Sequence, residues 1–159
     1  MKKILIVVND LGYFISHRLS VAIAAVKAGY TVHVAYGAVG SANVSSSVLE
    51  IFHLHNIPIQ RGGINPFLDV LSVFYLWRLF CRVRPTLVHT VTIKPVLYGG
   101  IAARLARVPA LVSALAGLGF ISNEKRGLKA AFLRYLVQPM FVLALAHPHQ
   151  RLIFQNTSD

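Results

Sequence analysis

Lys3 to Val8 reads KILIVV, a run that nothing polar interrupts after its lysine. A strand with one wet face alternates apolar and polar residues; an unbroken run belongs to a strand covered on both faces, which in practice means a parallel sheet between helices. Further strand-like runs recur along the chain: TVHVAYG (31–37), IPIQ (57–60), TLVHTVTI (86–93), ALVSAL (110–115) and LIFQ (152–155). Between them the period changes to that of a helix. NDLGYFI reads as a loop; Ser16 then caps a helix carrying Leu19, Ile23 and Val26, and Gly29 sits in the C′ position. Val48–His55 reads as a short helix. Pro66 opens another that runs to about Arg82, with Leu68, Leu71, Phe74, Tyr75 and Leu79 on one face. Pro95 opens the next, which Val108 and Pro109 end. Lys125–Ala146 forms the last, with a kink or break at Pro139. Six strands alternating with five helical segments predict right-handed crossovers and an α/β fold, a Rossmann-like doubly wound parallel sheet.

The chain has 159 residues, enough for one domain with its own core. Cys81 is its only cysteine, so no internal disulfide framework exists. Mean hydropathy is high at +0.61, yet no run of about 18 apolar residues is free of charge and proline. The nearest, Phe132–Pro148, is broken by Arg134, Gln138 and Pro139. MKKILIVVND is too short in its apolar part for a signal peptide and reads as the first strand, which makes a cytoplasmic protein the expectation. NTSD at 156–159 has the character of a helix cap, as if the chain were the first half of something longer.

Sixteen Lys and Arg face only five Asp and Glu, a formal charge of +11. No acid occurs between Val70 and Asn123, a stretch that holds Arg78, Arg82, Arg84, Lys94, Arg104 and Arg107. Such a balance suits polyanions (nucleic acid, anionic lipid or a phosphorylated substrate) or serves only solubility. The aromatic-interleaved basic strands of common RNA-binding folds are missing, so no nucleic-acid partner is expected.

Ligands of open parallel sheets bind outside the carboxyl ends of the strands. Four loops meet that rim: NDLGYFISH, GGINPF, the end of HTVTIK, and LAGLGF. The first has only Gly12 and bulky Tyr13, Phe14 and Ile15, so the glycine fingerprint of a dinucleotide site is absent. His17 is placed at a first helical turn, where the helix dipole disfavours a cationic imidazole. Asp10 serves as a general base or, preferably, a cap. In HTVTIK, residues His89, Thr90, Thr92 and Lys94 offer imidazole, hydroxyl and ammonium groups suited to a polyol or phosphate, although His89 could be a core residue and Lys94 a solvated one. Gly117 and Gly119 could expose backbone N–H groups to an anion or simply turn the chain. His147-Pro-His149 is no metal motif without further ligands, His53 and His55 close a short helix, and Ser113 is not in a nucleophile elbow.

Three stretches carry a family resemblance: KILIVVNDLGYFISHRLSVAIAAVKAGYTVHVAYG, LVHTVTIKPVLYGGIAARLARVPALVSALAGLGF and LIFQN. Together they resemble the amino-terminal domain of a family 4 glycosyltransferase with the two-domain B-type fold, in the subgroup that acts on polyprenyl-linked or polysaccharide acceptors. The resemblance implies an acceptor-binding half whose partner half, carrying paired glutamates, holds the nucleotide-sugar. It implies retention of anomeric configuration, no metal and no cofactor, with the nucleotide-sugar as co-substrate. His17 matches the histidine or small polar residue at the first helix of many such enzymes, and His89–Lys94 the loop facing the donor sugar. Substrate contacts are thus expected at Gly12, Phe14, His17, His89, Thr90, Thr92, Lys94, Gly117 and Gly119. The histidine that many relatives carry after the fifth strand is absent from SALAGLGF. Arg126, Lys129 and Arg134, on a helix with Leu133, Leu136 and Val137, are expected to touch an anionic membrane at its inner face. Without a donor half the chain is expected to be inactive alone; the alternative is a non-catalytic subunit that recruits a separate catalytic chain to the membrane.

Overall fold

The computed structural model describes residues 2–39, 49–60, 63, 65–115 and 138–154. Six strands form one sheet: β1 (Lys3–Asp10), β2 (Thr31–Ala38), β3 (His53–Asn56), β4 (Leu87–Val91), β5 (Leu111–Leu115) and β6 (Gln150–Phe154). Their order is β3-β2-β1-β4-β5-β6 and every pairing is parallel. The order turns back between β1 and β4, the topological switch point of a doubly wound fold. The helices are α1 (Leu11–His17), α2 (Leu19–Lys27), α3 (Pro66–Val83), α4 (Ile93–Leu105) and α5 (138–145).

The unbroken run in β1 behaves as its pattern requires. Leu5 and Val7 pack with Leu76 and Phe80 of α3, Leu97 and Ala102 of α4 and Ala144 of α5. Ile6 and Val8 pack on the opposite face with Leu11 and Phe14 of α1 and Ala22 of α2. All four β1 side chains are buried. Gly29 closes α2 in the left-handed region, as the sequence predicts, with φ +83.

Several local expectations are corrected. LGYFISH is helical, and its cap is Asp10, whose carboxylate accepts from the Tyr13 N–H at 3.1 Å. Ser16 lies inside α1 with its hydroxyl turned back to the Gly12 carbonyl. His17 therefore ends this helix instead of opening one, so the argument from an amino-terminal dipole does not apply to it. The third strand is HLHN, not IPIQ, and residues 53–55 are not helical. Pro58 has no N–H to give a ladder; the pairing stops at Asn56, and Ile57 and Ile59 turn into the core. On α3 the buried stripe is Ser72, Leu76, Phe80 and Val83, while Phe74 and Tyr75 are exposed. That helix is apolar on both sides, so periodicity alone could not choose. Ser72 helps fix the choice by donating to the Pro58 and Leu68 carbonyls. The helix after β4 starts at Ile93, ahead of Pro95. Of the helix expected over Lys125–Ala146, 138–145 is helical and the part before 138 lies outside the described residues.

Candidate functional site

The loops that leave β1 and β4 flank the switch point. On the β1 side, α1 begins directly at Leu11. Phe14 is wholly buried in the core beneath it and Gly12 is half-buried in its first turn. His17 is exposed, stacks on Tyr13 with ring centroids 4.3 Å apart, and pairs through Nδ1 with the Ser16 hydroxyl at 2.7 Å. Arg18 follows at the joint between α1 and α2 and donates to the His17 carbonyl.

On the β4 side, alternate residues go to opposite layers. His89 faces α1 and α2, as does Val91. It is 8% exposed, and its Nδ1 donates to the Val112 carbonyl at 3.1 Å. Burial lowers its pKa, the bond to Val112 opposes this, and the nearby Arg18 guanidinium lowers it further. The imidazole is therefore neutral near pH 7, with Nε2 left as the acceptor nitrogen. Thr90 faces the other layer. It is fully buried, shares a hydrogen bond of 2.9 Å with the Ser113 hydroxyl and lies under Gly99 of α4. It thus presents no surface to the rim.

Thr92 is the unusual residue. It occupies the position before α4 with φ 74 and ψ 165, a region that costs a β-branched side chain about 1–3 kcal/mol. Its backbone is held at both ends: its N–H donates to the Ala114 carbonyl and its own carbonyl accepts from Val96. Among the described residues its hydroxyl has no partner, no side chain caps α4, and no acid stands in the helix's first turn. The Ile93 and Lys94 N–H groups of the first turn (Pro95 has none) and the positive end of the α4 dipole thus stand at the switch point with no side-chain cap among the described residues.

Lys94 is neither solvated nor alone. Its ammonium pairs with the Asp69 carboxylate of α3 at 3.4 Å, both side chains being less than one-fifth exposed. Tyr98, one turn further along α4, is hydrogen-bonded to the same carboxylate. Burial first, then that bond and the carboxylate's charge, raise its pKa. Arg18, Asp69 and Tyr98 were not singled out from sequence. Asp69 had a signal, being one of only five acids in a strongly basic chain. Gly117, Gly119, Arg126, Lys129 and Arg134 lie outside the described residues.

Elsewhere, His33, His53 and His55 stack along the β2–β3 edge, with His33 Nδ1 2.9 Å from His55 Nε2. Burial, then His53, His55 and Lys3, push His33 down to about 4. An open hollow of about 560 Å³ at the opposite rim is lined by Arg104, Arg107, His147 and His149. His147 spends both nitrogens there, on the Val108 carbonyl and the His149 N–H, so it serves as a structural bridge. Among the described residues no group of His, Cys, Asp and Glu is arranged to hold a metal ion.

The chain matches the family model for glycosyl transferase 4-like proteins over residues 3–156. Over 100 residues it is 27% identical to an N,N'-diacetylbacillosaminyl-diphospho-undecaprenol alpha-1,3-N-acetylgalactosaminyltransferase of Campylobacter jejuni, covering 63% of this chain and 26% of that relative. Over 76 residues it is 32% identical to a UDP-Gal:alpha-D-GlcNAc-diphosphoundecaprenol alpha-1,3-galactosyltransferase of Escherichia coli, covering 48% and 20%. The chain thus spans about a quarter or less of the length of these curated relatives. Among solved structures, Acinetobacter baumannii MurG superposes with TM-score 0.55 at 20% identity over 85% of this chain and 39% of its own. A UDP-N-acetylglucosamine 2-epimerase superposes with TM-score 0.58 at 16% identity over 88% and 39%. These likenesses show the fold, that of one Rossmann-like half of a B-type enzyme, and the fold alone serves more than one chemistry. By the match across nearly its whole length, the chain belongs to the glycosyl transferase 4-like family.

Proposed function

We propose that this chain is the acceptor-binding half of a glycosyltransferase that moves a sugar from a nucleotide-sugar to a lipid-linked acceptor in cell-envelope glycan synthesis. The observation that carries the reading is the β4–α4 junction. A 13-residue helix opens at the switch point behind a strained Thr92, with no side-chain cap among the described residues. Such an end suits a diphosphate, the group named in both curated relatives' substrates. The diphosphate of a prenyl-linked sugar sits on the α4 amino end with Arg18 as a second cation. The neutral His89 offers Nε2 to a hydroxyl of the acceptor sugar, and His17 and Gly12 border the sugar from the β1 side. Lys94 supports the rim in this proposal by fixing α4 against α3.

The nucleotide-sugar is bound mostly by a second half, so that transfer requires both; the reading involves no metal or cofactor. The protein works on the inner face of the cytoplasmic membrane as a peripheral protein, since its acceptor's lipid stays in the bilayer. No helix among the described residues is long and apolar enough to cross a membrane.

The test is titration of the chain with a short-chain prenyl diphospho-sugar and, separately, with nucleotide-sugars. Saturable acceptor binding is expected, displaced by inorganic pyrophosphate. Arg18→Ala and His89→Ala should each weaken it about tenfold, the scale of one lost hydrogen bond. Binding of nucleotide-sugar alone, or acceptor binding indifferent to both substitutions, would refute the site. Sugar transfer by the chain without any partner would refute its assignment as half an enzyme.

A further inference from the structure

We infer that the outer face of α3 is a membrane-docking surface for an anionic bilayer. It deepens the proposed function and rests on it for the reason a membrane is needed. Phe67, Val70, Phe74, Trp77 and Cys81 follow one another at alternate spacings of three and four residues, which places them on one stripe of the helix. That stripe lies opposite the buried Ser72, Leu76, Phe80 and Val83. Phe67 is 76% exposed, Val70 70% and Phe74 47%. Phe74 touches both Tyr75 and Trp77, so the rings make one continuous patch. Single exposed apolar residues need no explanation, but a helix-long aromatic stripe does.

Charge identifies the occupant. Asp69 is the only acid of α3, and it is turned inward to Lys94 and Tyr98. Arg78 and Arg82 flank the stripe and Arg84 follows it, all exposed. Aromatic rings bordered on one side by arginines, with no outward acid on the helix, match the boundary between acyl chains and anionic headgroups. A protein partner of this basic chain would need a matching acidic and apolar patch; a second copy would bring like charges together. Position agrees. The amino end of α3 contacts α4 at the candidate site through Asp69 and Lys94, so a bilayer on this face would bring headgroups beside the site.

The chain supplies its own reporters, since Trp77 is its only tryptophan and the exposed Cys81 its only cysteine. Vesicles of phosphatidylglycerol and phosphatidylcholine should shift Trp77 emission to the blue and shield it from an aqueous quencher. A nitroxide on Cys81 should register the same boundary. Phosphatidylcholine alone should bind about tenfold more weakly, and Arg78→Gln and Arg82→Gln should cost about fivefold each at low salt. Phe67→Ser with Phe74→Ser, which keeps Trp77, should reduce partitioning at least tenfold. Trp77 emission unchanged by vesicles would overturn the inference. So would sedimentation with vesicles that survives the double serine variant but is lost in Arg126→Ala/Lys129→Ala/Arg134→Ala. Self-association removed by the serine variant, without any vesicle response, would assign the face to a second copy and overturn it too. Short-chain acceptor binding without vesicles should be unchanged in the serine variant; its absence from the unsubstituted chain would sink the proposed function and leave the vesicle result standing.

Discussion

Helix α4 lies unusually close to β4, and Gly99 makes that possible. A Cβ built there would stand 2.6 Å from Thr90 Cγ2, roughly 1 Å short of carbon–carbon contact distance. Gly99→Ala therefore pits two effects against each other. Alanine favours a helix interior over glycine by about 1 kcal/mol. Overpacking costs about 1–3 kcal/mol, and the upper end applies here because Thr90 cannot turn aside. Its hydroxyl is held by Ser113, which also receives the Gln150 side-chain amide, so rotation would break a buried hydrogen bond. The net expectation is a loss of about 2 kcal/mol. Thr90→Ser keeps the hydroxyl and removes only the obstructing methyl, at about 1 kcal/mol. In the double variant the alanine methyl occupies the vacated space and the helix keeps its gain, so stability should return to within about 0.5 kcal/mol of the starting chain. Urea midpoints at constant slope would give the cycle, with a coupling of about 3 kcal/mol. If the single losses simply add in the double variant, the contact is not what makes position 99 a glycine and Thr90 is not fixed as described.

Two further expectations test other parts. Thr92→Gly should raise stability by about 1 kcal/mol, the reverse of the usual glycine penalty, because its φ of 74 suits only glycine without strain; the same variant should hold pyrophosphate several-fold more weakly, read by thermal melts and titration. Acid should unfold the chain through histidine. Because the folded pKa of His33 is depressed to about 4 from 6.5, the unfolded chain binds more protons between those values. Its contribution is complete above about pH 6.5 and is lost as pH falls toward 4, with His55 and His89 acting in the same direction. Melting temperature should fall across that window and His33→Gln should flatten the fall; an unchanged slope would show that His33 is not the group responsible. With five carboxylates against seven histidines, acid groups are few enough for the effect to stand out.

The parallel sheet covered by helices on both faces was legible because strands buried on both faces leave an unbroken apolar record, as KILIVV does. What was lost was lost for identifiable reasons. IPIQ has the composition of a strand, but Pro58 withholds an N–H, and the ladder runs through the polar HLHN. The periodicity of α3 is ambiguous because its outward face is as apolar as its inward one. His89 and Thr90 are neighbours in sequence and look like one lining, yet the pleat sends them to opposite layers. The strain at Thr92 leaves no trace in sequence, since a threonine after a strand is ordinary until its φ is known.

Asp69 connects these observations. Its pairing with Lys94 is partly exposed and contributes about 1 kcal/mol at most, so stability does not explain it. Position explains it better. In a chain of 16 basic and five acidic residues, an acid on the first turn of α3 grips Lys94 and Tyr98 on the first two turns of α4. In the proposed reading, one helix presents its aromatic face to the bilayer and the other opens toward the diphosphate. A loose joint between them would let the membrane orient α3 without orienting the site. With the joint held, the proposed depth of Phe67 and Trp77 in a bilayer would set the height of the α4 amino end above the headgroups. That height would determine whether a diphosphate anchored by its lipid reaches it.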